Sequence, residues 1–133
     1  RPFYNSKEKA LAKSAMERLG IADLAEKSCR ELSGGQQQRM FLARAMCAAK
    51  KLILLDEPVT GLDPAATGEM YALINELNKK DGMTIIMVTH DIMRSLNYAT
   101  HILCLCSSKE SFFGTAEEYA DSHLAAAMMG GGA

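Results

Sequence analysis

The sequence lacks an excess of either charge. Its 133 residues carry 15 Lys and Arg against 16 Asp and Glu, a formal net charge of −1. That balance argues against a nucleic-acid binder working through a broad basic surface. Long apolar runs are also missing, and none approaches the ~20 residues needed to cross a bilayer. The amino terminus, Arg1-Pro2-Phe3-Tyr4, has neither the apolar stretch nor the cleavage site of a secretory signal. No internal repeat and no Pro/Ser-rich linker interrupts the chain. The four cysteines, Cys29, Cys47, Cys104 and Cys106, form no C-x-x-C pair. Cys104 and Cys106, two apart on a strand, share a face, a poor geometry for bridging each other. The expectation is a reduced cytosolic protein whose cysteines are small apolar side chains, with no disulfide framework or zinc site.

What is present is ordinary globular sequence, 48% hydrophobic and 23% charged. So much apolar sequence can offset the entropy of ordering, which excludes disorder. The length allows one hydrophobic core.

Asn5 to Leu19 reads as a helix, with Asn5 and Glu8 as a capping box and Gly20 as the stop. A short helical piece follows at Ala22 to Lys27. Ser33 and Gln36 form a second capping-box spacing before a run rich in Ala, Met and Leu from Met40 to Ala49. That run is apolar on most sides and predicts a largely buried helix. Leu52 to Leu55 and Thr84 to Val88 are short unbroken apolar runs, which suit parallel strands covered on both faces. Between them Asp63-Pro64 predicts an N-cap and first helical position, with the helix running to about Lys79 and Asp81-Gly82 as the next turn. The result is a βαβ unit. Beyond it the sequence predicts a short helix from about Asp91, a strand at His101 to Cys106, an antiparallel return at Ser111 to Phe113, and a last helix capped by Thr115 and Glu118. The Gly-Gly-Gly-Ala ending reads as a tail.

Four segments carry chemistry. Leu32-Ser33-Gly34-Gly35-Gln36 places two glycines and a hydroxyl at a helix start, where unpaired N–H groups and the dipole favour an anion. A plain capped helix explains the same residues. Leu52-Ile53-Leu54-Leu55-Asp56-Glu57-Pro58 places two carboxylates at the carboxyl end of a parallel strand, where ligands of open α/β sheets sit. Asp56 suits Mg²⁺, and Glu57, on the strand's other face, suits polarisation of a water for attack on phosphorus. Charges that merely mark the exit from a core are the alternative. Gly61-Leu62-Asp63-Pro64 follows, with Asp63 also explicable as a helix cap. His90 lies past the second strand, able to donate to a phosphate oxygen.

In this order the four segments resemble the carboxyl-terminal half of the ATP-binding-cassette (ABC) ATPase domain. Leu32 to Gln36 matches the family signature, Leu52 to Glu57 its Walker B strand, Gly61-Leu62-Asp63 its D-loop and Thr89-His90-Asp91 its H-loop. The resemblance runs from about Ser6 to about Tyr119. It implies an α/β, partial P-loop NTPase fold: a helical subdomain over residues 1–50, part of the ATPase core over 51–123 and a tail over 124–133. It implies ATP and Mg²⁺ as ligands, with Asp56 positioning the metal, Glu57 as general base and His90 contacting the γ-phosphate. Ser33, Gly34 and Gly35, completed by Gln36, would bind the γ-phosphate of a nucleotide held by a second ABC ATPase domain in a head-to-tail dimer. Asp63 would link the two sites. A membrane permease subunit is the other implied partner, at the cytoplasmic face of the membrane. The stretch from Ser95 to Tyr119 resembles bacterial zinc or manganese importers.

One departure stands out. The phosphate loop of P-loop NTPases needs G-x-x-x-x-G-K-[ST], and none of the ten glycines here is followed by Lys. The chain alone is therefore expected to bind ATP weakly or not at all, and half a sheet is expected to leave open edges that favour swapping or aggregation. A non-catalytic interaction module and a non-transport ABC ATPase are the alternative readings.

Overall fold

The computed structural model describes residues 3–130. The chain divides into two compact units, one ending at Val88 and the other beginning at Thr89.

The first unit opens with helix α1 (Ser6–Arg18), whose Asn5 and Glu8 form the expected reciprocal cap. Gly20, at φ +67°, takes the left-handed conformation that ends it. Two short 3₁₀ turns, Ala22–Leu24 and Cys29–Glu31, lead to α2 (Gly34–Ala48). Strand β1 (Leu52–Asp56), helix α3 (Pro64–Lys79) and strand β2 (Thr84–Val88) form the βαβ unit. The two strands pair in parallel, Leu52 opposite Thr84 through Asp56 opposite Val88. Asp63 caps α3 with Pro64 at its first position, as the residue pattern requires.

The register decides which side chains reach the core. Ile53, Leu55, Ile85 and Met87 share one face and pack with Leu19, Leu42, Met70, Tyr71 and Leu77. Leu52, Leu54, Ile86 and Val88 share the other, and all four are exposed, Leu54 at 68%. The expectation of strands covered on both faces is therefore corrected. Among the described residues of this unit, packing covers one face only. Helix α2 is corrected for the same reason: only Leu42 and Ala43 are buried, and Phe41 is 48% exposed. A groove of about 340 Å³ runs between α2 and β1, lined by Phe41, Ala45, Leu54, Asp56 and Pro58 among others.

An ion-pair cluster fastens the end of α1 to the turn before β2. Arg18 Nη1 donates to Asp81 Oδ1 at 2.8 Å, Nη2 engages Oδ2, and Glu76 Oε1 lies 3.6 Å from Nη2. The hydrogen bond from Arg18 holds the Asp81 carboxyl below the usual carboxylate range, and Asp81 in turn raises Arg18. A depressed folded-state value gives stability that is present above the ordinary Asp range, near pH 4, and lost as pH falls through the depressed value. Urea denaturation should therefore find Asp81→Asn less stable than the parent at pH 7. The gap should close below about pH 4, and a gap that persisted there would disprove the linkage.

The second unit contains the short helix α4 (Ile92–Ser95), the antiparallel hairpin of β3 (His101–Leu105) and β4 (Ser111–Thr115), helix α5 (Ala116–Ala120) and helix α6 (His123–Gly130). Thr115 and Glu118 form the expected capping box on α5. The helix stops there, and residues 124–130, expected as tail, belong to α6, with Leu124 and Ala125 buried against Tyr119. Residues 131–133 of the glycine-rich ending lie outside the described residues. The cysteine expectation is also overturned, because Cys104 and Cys106 are joined as a disulfide. Cys104 lies in β3 and Cys106 just past its end, where the chain is no longer held to the strand geometry that keeps such a pair apart. Their Cα atoms are 5.7 Å apart, within the usual range for such a bond.

Candidate nucleotide-contacting site

Ser33 caps α2 reciprocally. Its Oγ accepts from Gln36 N at 3.2 Å, and Gln36 Oε1 accepts from Ser33 N at 3.0 Å. Gly34 and Gly35 then occupy the first two helical positions without positive φ. A methyl group on Gly34 would meet one neighbour within 4 Å, Leu62 Cδ2 at 3.6 Å, and one on Gly35 would meet Ala66 Cβ at 3.6 Å. These are ordinary contacts, so neither backbone conformation nor internal packing requires glycine at either position. The same distances bring the start of α2 beside the start of α3, so that two of the four segments meet.

Residues 36–39, which follow the glycines, are half-buried. Gln37 Nε2 donates to Cys29 O at 3.1 Å and Leu32 O at 3.2 Å, which holds the loop that delivers Ser33. Arg39 Nη1 donates to Leu19 O at 3.0 Å, capping the end of α1, while Nη2 engages Glu69 of α3. Sequence reasoning missed both roles, because each depends on carbonyls that only folding brings near.

Asp56 ends β1 with its side chain exposed, on the same strand face as Leu52 and Leu54. Glu57 is the one described non-glycine residue with positive φ, at +48°. A left-handed residue with a side chain carries a strain of roughly 1–2 kcal/mol, so the strand's alternation ends at Asp56 instead of sending Glu57 to the opposite face. Its N–H donates to Val88 O at 2.8 Å, keeping it tied to the end of β2. Thr60 N donates to Glu57 O at 3.3 Å, and Thr60 Oγ1 donates to Glu57 Oε2 at 3.2 Å. Gly61, at φ +78°, then turns the chain toward Asp63, whose Oδ1 accepts from Ala66 N at 2.7 Å. His90, an exposed residue two positions beyond β2, belongs to the second unit, where its carbonyl accepts from Ile92 N. The adjoining Thr89 Oγ1 accepts from Asp91 N at 3.0 Å.

Two carboxylates at the end of a parallel strand, and a glycine-led helix start beside the next helix start, fit one class: part of a P-loop NTPase-type ATPase domain. The family profile described as ABC transporter matches residues 3–60. The zinc uptake system ATP-binding protein of Listeria monocytogenes is 39% identical over 115 residues, 86% of this chain and 44% of that protein. The phosphonates import ATP-binding protein PhnC 2 of Pseudomonas syringae pv. syringae is 36% identical over 122 residues, 92% of this chain and 44% of that protein. A solved transporter assigned to the metal-chelate ABC type, in an inward-facing conformation, superposes with a TM-score of 0.89 at 30% identity, covering 96% of this chain and 51% of that one. The structure of cbiO1 from Clostridium perfringens, part of an ABC transporter complex, gives 0.77 at 31% identity, covering 91% and 49%. Over most of its length the chain is similar to ABC transporter ATP-binding proteins, and it spans about half the length of the relatives it matches. No helix among the described residues is long and apolar enough to cross a membrane.

Proposed function

We propose that this chain is the signature, Walker B and H-loop part of an ABC importer's ATP-binding subunit, which hydrolyses Mg-ATP with a second such domain to drive transport. The observation that carries this reading is the pair Gly34-Gly35. Glycine at a helix position costs up to about 1 kcal/mol relative to alanine. Nothing among the described residues requires it here, which favours close approach of an external group to the helix start. The adjoining N–H groups and dipole select an anion such as a γ-phosphate.

The remaining roles belong to the same proposal. Glu57 takes the proton of the attacking water as its oxygen bonds to the γ-phosphorus, and the bond from that phosphorus to the bridging oxygen of ADP breaks. Mg²⁺, when bound, neutralises charge on the phosphate oxygens, and the exposed oxygens of Asp56 at the end of β1 suit so hard a cation. His90 would contact the γ-phosphate, Ser33 and Gln36 would complete the signature, and Asp63 would link the paired sites. Functionally, residues 1–50 act as the helical subdomain and 51–123 as part of the core. With no glycine followed by Lys, the chain relies on another segment to cradle the β-phosphate and holds ATP weakly alone. The assembled subunit sits in the cytoplasm against a membrane permease.

The test is a chimera: the Listeria zinc uptake relative with its matched segment replaced by the corresponding residues of this chain. Phosphate release above background is expected. A chimera that binds ATP but does not hydrolyse it, while the parent does, would refute the proposal. Metal-ion import is the reading we favour, supported by the zinc relative and the resemblance from Ser95 to Tyr119. Phosphonate import is the second, supported by the longer match to the phosphonate relative. Rescue of zinc-limited against phosphonate-limited growth separates them.

A further inference from the structure

We propose that Thr60 is the positioning residue for Glu57: its hydroxyl fixes the carboxylate that receives the proton of the attacking water. The proposal rests on the reading of Glu57 as the base. The Glu57 N–H donates to Val88 O at 2.8 Å, its carbonyl accepts from Thr60 N at 3.3 Å and its Oε2 accepts from Thr60 Oγ1 at 3.2 Å. Thr60 thus engages both the backbone and the carboxylate of Glu57. The left-handed turn at Glu57, φ +48°, makes this possible, because it folds the chain back and brings the residue three positions on within reach of the carboxylate.

Thr60 is itself exposed, so core packing does not call for a β-branched side chain there. Gly61, at φ +78°, redirects the backbone immediately afterwards. The hydroxyl is therefore the part of Thr60 with a task. A glutamate otherwise samples several rotamers, and each departure from the reactive one lowers the fraction of enzyme ready to react. The competing account makes Thr60 a turn-former only, acting through its backbone N–H.

Thr60→Val separates the two, since it keeps shape and N–H and removes only the hydroxyl. In the 133-residue chain, side-chain three-bond couplings measured by NMR should show Glu57 in one dominant rotamer. Thr60→Val should move those couplings to averaged values, Thr60→Ser should restore them, and amide shifts elsewhere should stay in place. Couplings in Thr60→Val identical to the parent would overturn the proposal whatever the chemistry of the site. Thr60→Ala is the alternative deletion should valine perturb the turn. In the chimera, Thr60→Val should lower kcat about tenfold or more with KM for ATP unchanged. It should have no effect added to Glu57→Gln, and Thr60→Ser should recover the rate. Full kcat in Thr60→Val would also overturn the positioning role, whereas an inactive parent chimera would count against the reading of Glu57 and leave the rotamer result to decide Thr60.

Discussion

Replacing Glu57 by Gln is expected to lower ATP hydrolysis by the chimeric subunit roughly 10²–10⁴-fold, the range that a positioned general base contributes. The substitution removes the basic oxygen and little else. Glutamine has the same length, and its amide oxygen can accept from Thr60 Oγ1 as the carboxylate does at 3.2 Å. Its backbone adopts the same left-handed conformation at the same strain. Stability in urea should therefore match the parent, and ATP should still bind. Glu57→Gly makes the contrast sharper. Glycine accepts φ +48° freely, so the fold should gain about 1 kcal/mol while hydrolysis is lost to the same degree. A variant that stabilises the chain and abolishes turnover is the behaviour of a strained functional residue. Retained turnover in Glu57→Gln would remove Glu57 from the chemistry.

Gly35→Asp should also separate stability from activity, by a second mechanism. Position 35 is the second residue of α2, where a negative side chain interacts favourably with the helix dipole and gains about 0.3–1 kcal/mol. The space admits it, with Ala66 Cβ as the one neighbour within 4 Å of an added Cβ, at 3.6 Å. The same charge repels a phosphate approaching that helix start and displaces it from the N–H groups. Hydrolysis by the paired chimera should fall roughly 10²-fold or more, comparable to losing a donor at a developing oxyanion. Thermal unfolding of the 133-residue chain, set beside phosphate release from the chimera, gives both readings. Parallel losses of stability and rate would mean that Gly35 serves the fold, and the signature would lose its proposed role.

Local features of this protein were legible wherever neighbours in sequence supply the physics. Asn5 with Glu8, Ser33 with Gln36 and Thr115 with Glu118 close their caps within four residues, and all three caps are present. Asp63-Pro64 starts α3 for the same reason. The candidate site was legible as four segments because each lies at a strand end or helix start that sequence punctuation marks. The left-handed Glu57 was not, since glutamate carries no preference for positive φ. The bonds of Gln37 and Arg39 were not legible either, because the carbonyls they reach lie 5 to 20 residues away.

The apolar runs Leu52–Leu55 and Thr84–Val88 determined by themselves that two strands would form, and the helix between them made the pairing parallel. Which faces would be covered was not in those runs. An unbroken apolar strand reads alike whether one side or both find a partner, and covering Leu54 or Ile86 requires chain that packs from elsewhere. The bond between Cys104 and Cys106 likewise depended on where β3 ends. Sequence settles what a residue and its near neighbours can do. The tertiary structure decides what distant chain they meet.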